Sequence, residues 1–123
     1  EEESTYAPKL EKTMGNIDWT MDADRIERLV RGLNSWPGTF TKIHGKTVKI
    51  WDCDVVCQEA LTESQAAAEP GTVIISEKDQ LIVKAGNGAL SLRMLQPEGK
   101  KNMTVDAYLR GYPIAHGEVF TQV

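Results

Sequence analysis

The feature that most constrains the fold is a series of short β-type runs, each bounded by a turn signal. Apolar and polar side chains alternate within these runs, which places one set on each face of a strand. Five strands are predicted, at residues 39–43, 46–56, 72–76, 81–85 and 89–95. His44-Gly45 joins the first two, and Asn87-Gly88 precedes the fifth as a strong tight-turn signal. Short strands separated in this way are typical of a small barrel or a sandwich.

A helix is predicted on each side of the strands. The first is amphipathic, with Thr20 as its N-cap and Pro37 preventing its extension. Its apolar stripe consists of Ile26, Leu29, Val30 and Leu33. A second, short helix is predicted after the turn that carries Lys100 and Lys101. The sequence therefore predicts a mainly β fold, a closed or partly open barrel of about five to six strands between two helices. A sandwich of two small sheets is the alternative, because periodicity does not give strand order.

Alternation within the strands also predicts which side chains are buried. The predicted core residues are Phe40, Val48, Ile50, Val55, Leu81, Val83, Leu90, Leu92 and Met94. Trp51 points away from Val48 and Ile50, and packing of its indole is favoured over stacking on a nucleic-acid base, because an indole buries a large area. The 58–69 connection has no β character and is predicted to be a surface loop or a brief helical turn.

Length and composition narrow the class of protein. The 123 residues are expected to form one domain. Residues 1–14 have few large apolar side chains and are predicted to be an interdomain linker or tail, which places the domain at 15–123. No stretch is apolar for long enough to cross a bilayer, and the chain opens on three glutamates, so a cytoplasmic protein is expected.

Neither the cysteines nor the histidines form a recognisable site. Cys53 and Cys57 are expected to be reduced thiols, because they are the only pair in a chain without a secretory signal. No metal site is predicted, since His44 and His116 lie in a hairpin turn and in the C-terminal tail. Catalytic residues are likewise not predicted: no nucleophile, base and carboxylate occur together, and Gly86-Asn87-Gly88 lies between strands rather than before a helix.

The charge distribution leaves a polyanionic partner open. The formal charge is −4, but seven of the 18 acidic residues lie in the first 24 positions, and the remainder carries 12 basic and 11 acidic residues. A nearly neutral body can still have a basic face. Lys100 and Lys101 stand side by side in a turn containing Pro97 and Gly99, where they favour contact with an anion. The alternative is an ordinary solvated turn.

Several short motifs are spread along nearly the whole chain. They are Tyr-Ala-Pro-Lys-Leu-Glu-Lys-Thr-Met-Gly-Asn-Ile-Asp-Trp from residue 6, Asn-Ser-Trp-Pro-Gly-Thr from 34, Val-Lys-Ile-Trp from 48, Pro-Gly-Thr-Val from 70, Gly-Asn-Gly-Ala-Leu from 86 and Leu-Gln-Pro-Glu-Gly-Lys-Lys-Asn-Met-Thr from 95, followed by Tyr-Leu-Arg-Gly. In sequence and in order they resemble the C-terminal domain of bacterial methionyl-tRNA formyltransferases. The resemblance implies an OB-like barrel.

The resemblance also implies a function. Family members carry their formyl-transfer residues, with a Ser-Leu-Leu-Pro motif absent here, in an N-terminal Rossmann-like domain that uses 10-formyltetrahydrofolate. This chain is therefore expected to be the accessory half of such an enzyme, inactive alone, with no cofactor of its own and monomeric. Its expected partners are initiator methionyl-tRNA and the N-terminal formyltransferase domain in cis. The candidate tRNA-binding residues are Lys9, Lys12, Lys42, Lys46, Lys49, Lys100, Lys101 and Arg110.

The support for these candidates differs. Lys9 and Lys12 match the interdomain segment of the family, whereas Arg110 is followed by Gly-Tyr-Pro in place of a more basic run. Lys78 and Lys84 are expected to lie away from the site. The alternative function is a scaffold domain of a formyltransferase acting on a small molecule, such as a sugar nucleotide or folate. A third hypothesis, a free-standing protein-interaction barrel, requires an exposed apolar patch that the sequence does not locate.

Overall fold

The computed structural model describes residues 15–33 and 38–122. Their elements follow the order α1 (Ala23–Leu33), β1 (Thr39–Ile43), β2 (Lys46–Val56), a 3-10 turn (Gln58–Ala60), α2 (Glu63–Ala66), β3 (Val73–Glu77), β4 (Gln80–Lys84), β5 (Ala89–Pro97), β6 (Met103–Thr104) and α3 (Val105–Gly111). The predicted mainly β class is confirmed, with its amphipathic helix before the strands and its short helix after them. In the 58–69 connection, the brief helical turn is the form observed.

All six strands belong to one antiparallel sheet. The order is β1-β2-β5-β4-β3, and β6 pairs with Met94 and Leu95 of β5. The alternative of two packed sheets is therefore wrong. The β1–β2 turn is formed as predicted, because His44 and Gly45 have φ of 55° and 76°, and a two-residue type I′ turn needs positive φ at both positions.

The sheet is not closed by pairing of β1 with β3, so the fold is barrel-like only in a loose sense. The C-terminal tail, residues 117–121, lies between these two edges. On one side Lys42 and Thr121 exchange two backbone hydrogen bonds of 2.9 Å. On the other, the N–H of Phe120 donates to the carbonyl of Gly71 at 2.7 Å, and the N–H of Val73 donates to that of Glu118 at 2.7 Å. The tail thereby satisfies backbone groups on both edges.

Helix α1 begins later than the sequence predicts. The carbonyl of Asp22 accepts from the N–H groups of Arg25 and Ile26, so Asp22 precedes the first turn. Thr20 is not the N-cap, because its hydroxyl donates to Asp18 Oδ1 at 2.6 Å in the preceding turn. Ala23, Ile26, Val30 and Leu33 are buried, mostly against β2, whereas Leu29 is half-buried. No helix in the described ranges is long and apolar enough to span a membrane.

Two irregularities in the β2–β5 ladder change which residues face the core. Ile50 pairs with Leu95, Asp52 with Met94 and Cys53 with Leu92, so Trp51 and Arg93 each have no partner in the register. An extra residue reverses the faces of the side chains that follow it. Leu95 is consequently buried, and the prediction that Met94 is a core residue is wrong because Met94 is only half-buried.

Most other predicted core positions are confirmed. Val48, Ile50, Leu81, Val83, Leu90 and Leu92 are all buried. Phe40 is half-buried, and Val55 remains 36% exposed. The expectation for Val55 is wrong, because Val55 lies at the end of β2 and lines an open depression beside Asp22 and Asp24.

Candidate nucleic-acid interface

A groove of about 590 Å³ lies where three segments distant in sequence meet. The β1–β2 turn contributes His44 and Lys46, and the loop after β5 contributes Glu98 and Lys100. The third wall is the C-terminal part of α3 together with Tyr112 and Pro113. The strand register explains this meeting, because Val48 pairs with Pro97 and brings the start of β2 beside the end of β5.

Two of the predicted lysines therefore share one site. Lys46 and Lys100 both line the groove and are both exposed. Within the described ranges, no carboxylate forms an ion pair with either ammonium group. The lining also contains one acidic residue, Glu98. The two lysines therefore exceed the single carboxylate of the lining by one charge, which suits an anionic ligand.

His44 connects the groove to the C-terminal tail. Its Nε2 contacts Glu118 Oε1, and Glu118 Oε2 accepts a 2.7 Å hydrogen bond from the N–H of Ala115. These contacts lower the pKa of the Glu118 carboxyl, with the Ala115 hydrogen bond as the largest cause and His44 as the next. The tail thus contacts the β1–β2 turn through the side chain of Glu118.

Two tyrosines of the third wall were not among the predicted site residues. Tyr108 and Tyr112 stack with ring centroids 5.0 Å apart and planes 16° apart, and both line the groove. Tyr108 is only 2% exposed, and burial raises the pKa of its phenol to about 12. Their spacing of four residues in a predicted helix indicates neighbouring positions, but it does not indicate which surface they face.

A chain of hydrogen bonds attaches the basic loop to β2. The indole N–H of Trp51 donates to Gln96 Oε1 at 2.7 Å, and Gln96 Nε2 donates to the carbonyl of Lys100 at 2.7 Å. Lys49 pairs with Gln96 in the ladder, and its ammonium lies 5.5 Å from the centroid of the Trp51 ring. Trp51 is half-buried by these outer-face contacts, which makes Gln96 and Trp51 supports of the lysine-bearing loop.

The remaining candidates lie around the groove or outside the described residues. Lys101 is exposed beside Lys100, and Lys42 is exposed on β1, where its backbone pairs with the tail. Arg110 is exposed on α3 and forms an ion pair with Asp106 at 3.5 Å, so its charge is partly offset. Lys9 and Lys12 lie outside the described residues. The structure thus brings together Lys46 and Lys100 in the groove, whereas Lys101 follows Lys100 in sequence and Lys49 lies over Trp51 on the outer face.

The two lysines expected to lie away from the site differ from each other. Lys78 is exposed in the β3–β4 turn. Lys84 is only 3% exposed, and its ammonium donates to the carbonyl of Ala85. The pKa of Lys84 is lowered by burial, because desolvation disfavours the charged form. Lys84 is therefore unsuitable as a surface control, since its replacement would change packing as well as charge.

Neither a metal site nor a reactive buried thiol is found in the described ranges. No group of three or more His, Cys, Asp or Glu residues in these ranges could hold a metal ion. Cys53 and Cys57 are free thiols, and burial, together with the charges of Glu27, Asp52 and Asp54, raises the pKa of Cys53 to about 12. A thiol with so high a pKa is a poor nucleophile at neutral pH.

The fold and the groove define a small β domain suited to binding an anionic partner. Residues 9–113 match the family model of the formyl transferase C-terminal domain. The chain therefore belongs to this family, as the sequence motifs predict.

The relatives in this family are larger proteins. The chain is 41% identical over 120 residues to methionyl-tRNA formyltransferase of Agathobacter rectalis, covering 98% of the chain and 37% of the relative. It is 44% identical over 119 residues to that of Caldanaerobacter subterraneus subsp. tengcongensis, covering 97% and 36%. The chain thus spans little more than a third of the length of these relatives.

A solved structure confirms the fold. The chain superposes on HypX from Aquifex aeolicus with a TM-score of 0.66 at 19% identity, covering 95% of this chain and 20% of HypX. Another structure of HypX, in complex with tetrahydrofolic acid, gives a TM-score of 0.62 at 18% identity, covering 98% of this chain and 22% of HypX. At these identities the similarity extends to the fold alone.

Proposed function

We propose that this chain is the tRNA-binding C-terminal domain of a methionyl-tRNA formyltransferase. The observation that carries the proposal is the groove lined by both Lys46 and Lys100, neither of which forms an ion pair in the described part of the chain. The similarity to enzymes named methionyl-tRNA formyltransferase, at 41% and 44% identity, supplies the identity of the polyanion.

In this proposal the domain positions its substrate and leaves the chemistry to another domain. Ammonium groups contact phosphates of initiator methionyl-tRNA, which contributes affinity and orientation without reading sequence. The N-terminal domain in cis transfers the formyl group to the methionine amine from 10-formyltetrahydrofolate, so no residue of this chain is assigned to the donor. The protein acts as a cytoplasmic monomer.

Lys9 and Lys12 extend the proposed interface along the linker. A segment that becomes ordered on binding can follow a curved phosphate backbone, although ordering costs conformational entropy. Its lysines then contribute charge rather than a fixed geometry. Glu11 lies between them in sequence and reduces the net charge of this segment.

The test is the affinity of the 123-residue chain for initiator tRNA, measured by fluorescence anisotropy across a series of salt concentrations. A surface that neutralises two to four phosphates predicts a slope of log affinity against log salt of about −2 to −4. Elongator tRNA should bind similarly, because phosphates carry no sequence information. The scaffold alternative predicts little binding, so a slope near zero would exclude the proposed role.

Activity measurements on the same chain complete the test. Mixing the chain with 10-formyltetrahydrofolate and charged initiator tRNA should leave the methionine amine unmodified, since no catalytic constellation is predicted in the sequence. Turnover above background would contradict the division of labour between the two domains.

A further inference from the structure

We propose that the groove holds one unpaired nucleotide of RNA, with its phosphate at Lys46 and Lys100 and its base against Tyr112. This inference rests on the proposed function in one respect, which is that the nucleotide belongs to tRNA. The features that define the site do not depend on that function: two exposed ammonium groups and a stacked pair of tyrosines, one of them buried, line one concave surface.

The hydroxyl of Tyr108 is the observation that points to a ligand. Tyr108 is only 2% exposed yet lines the groove, and its hydroxyl has no hydrogen-bond partner among the described residues. A buried polar group without a partner destabilises the folded state, and such groups are rare in native proteins. A phosphate or base oxygen in the groove would supply the missing acceptor. The phenol is protonated at neutral pH and can therefore act as the donor.

Tyr112 supplies the surface for a base. The ring of Tyr108 stacks on the ring of Tyr112 at a centroid distance of 5.0 Å. Tyr112 is half-buried and lines the groove. Aromatic side chains bind unpaired bases by stacking, with little dependence on base identity. A base inside a duplex is already stacked and paired, so a groove of this kind selects a single-stranded nucleotide.

Charge and volume agree with a nucleotide. Lys46 and Lys100 provide two cations against one carboxylate, that of Glu98, while His44 is engaged by Glu118. The volume of about 590 Å³ lies inside the range of about 300–1,000 Å³ usual for ligand sites. A groove that needed only to hold a phosphate would require neither the aromatic pair nor this volume.

The experiment measures binding of a labelled single-stranded RNA tetranucleotide to the 123-residue chain by fluorescence anisotropy, with a hairpin RNA as the paired control. Tyr112→Leu should weaken tetranucleotide binding about tenfold, because stacking is removed while an apolar side chain is kept. Tyr108→Phe should weaken it about fivefold. The matched surface control, Lys78→Ala, should leave it unchanged. Equal affinity for hairpin and single strand would overturn the proposal.

Thermal unfolding of Tyr108→Phe separates a ligand-binding hydroxyl from a structural one. Removing an unpartnered buried hydroxyl should leave the melting temperature unchanged or raise it, even as RNA binding weakens. A lower melting temperature with unchanged RNA binding would overturn the assignment. Competition adds a second criterion: uridine monophosphate should displace the tetranucleotide at lower concentration than inorganic phosphate, and equal competition would mean an anion site without a base.

The outcomes for tRNA distinguish this inference from the proposed function. Salt-dependent tRNA binding that requires Lys46 and Lys100 but neither tyrosine overturns the nucleotide site and leaves the proposed function standing. Tetranucleotide binding that requires both tyrosines in a chain that does not bind tRNA supports the nucleotide site and overturns the proposed function.

Discussion

Replacing Phe120 by alanine should cost much of the stability of the domain, because the C-terminal tail fills the opening of the sheet. The Phe120 side chain is 1% exposed and lies 5.8 Å from Trp19, centroid to centroid. The indole N–H of Trp19 donates to Thr41 Oγ1, whose hydroxyl donates to the carbonyl of Thr121. The aromatic contact and the hydrogen bonds of the tail therefore depend on one another.

The expected magnitude follows from the buried volume. Phenylalanine to alanine in a core costs about 3–5 kcal/mol, against a total free energy of unfolding of about 5–15 kcal/mol for a small domain. Five backbone hydrogen bonds from residues 117–121 to Lys42, Gly71 and Val73 would weaken as the tail detaches. Each of these hydrogen bonds contributes about 0.5–1.5 kcal/mol net. We therefore expect the cost of Phe120→Ala to lie in the upper part of the range of about 3–5 kcal/mol.

Urea denaturation followed by tryptophan fluorescence measures this decrease in stability. Val119→Ala is the matched control, because Val119 is the neighbouring residue, is 48% exposed and should change the free energy of unfolding by less than about 0.5 kcal/mol. A decrease below about 1 kcal/mol for Phe120→Ala, or equal decreases for the two variants, would refute the structural role assigned to the tail.

Three further predictions concern substitutions elsewhere in the domain. Gln96→Leu should lower the free energy of unfolding by about 1–3 kcal/mol, since it orphans an indole N–H; an unchanged urea midpoint would contradict this. Gly86→Ala should lower the free energy of unfolding by about 1–3 kcal/mol or more, because the added Cβ would lie 1.9 Å from a backbone oxygen. Its control is Gly32→Ala, whose Cβ would have no atom within 4 Å and which should stabilise helix α1 by about 0.5–1 kcal/mol in the same assay. The pKa of the Glu118 carboxyl is lower in the folded state than its unfolded value of 4.5. Its negative charge therefore stabilises the folded state above pH 4.5, and this contribution is lost as the pH falls through the folded pKa. Glu118→Gln should therefore lower the melting temperature at neutral pH, by an amount that shrinks on acidification; a deficit independent of pH would be inconsistent with this.

Local chemistry predicted the strands and turns well. β1 and β2 have the predicted bounds, Thr39–Ile43 and Lys46–Val56. Their turn is encoded by His44-Gly45, because a two-residue hairpin accepts only residues that tolerate positive φ. The other three predicted strands are found within two residues of their predicted limits, whereas no limits were predicted for β6. These features depend on neighbours in sequence, which periodicity reports directly.

Features that depend on pairing between strands were not predictable in the same way. Alternation placed Met94 in the core, but the unpaired Trp51 and Arg93 shift the faces of β2 and β5. A residue outside the ladder leaves no signature in the local pattern, since it is defined by the partner strand. The local pattern likewise does not indicate the burial of Lys84, which is only 3% exposed.

The candidate site could be predicted only in part. The lysines were identified from their charge, and the structure brings together two of them, Lys46 and Lys100, that are far apart in sequence. Tyr108 and Tyr112 were missed because an aromatic pair at helical spacing is equally typical of core packing. Only the docking of α3 beside the β1–β2 turn gives the pair a position in the groove.

The most direct test of the proposed function is the salt dependence of tRNA binding by two double variants that remove equal charge. The first, Lys46→Ala with Lys100→Ala, removes the two cations of the groove. The second, Arg25→Ala with Lys78→Ala, removes two exposed cations that do not line the groove. The groove variant should bind tRNA more weakly and lower the salt slope by about two, one for each phosphate that is no longer neutralised, while the control variant keeps the parental slope. Equal weakening by the two variants would mean that binding reflects overall charge, and the groove would not be the tRNA site.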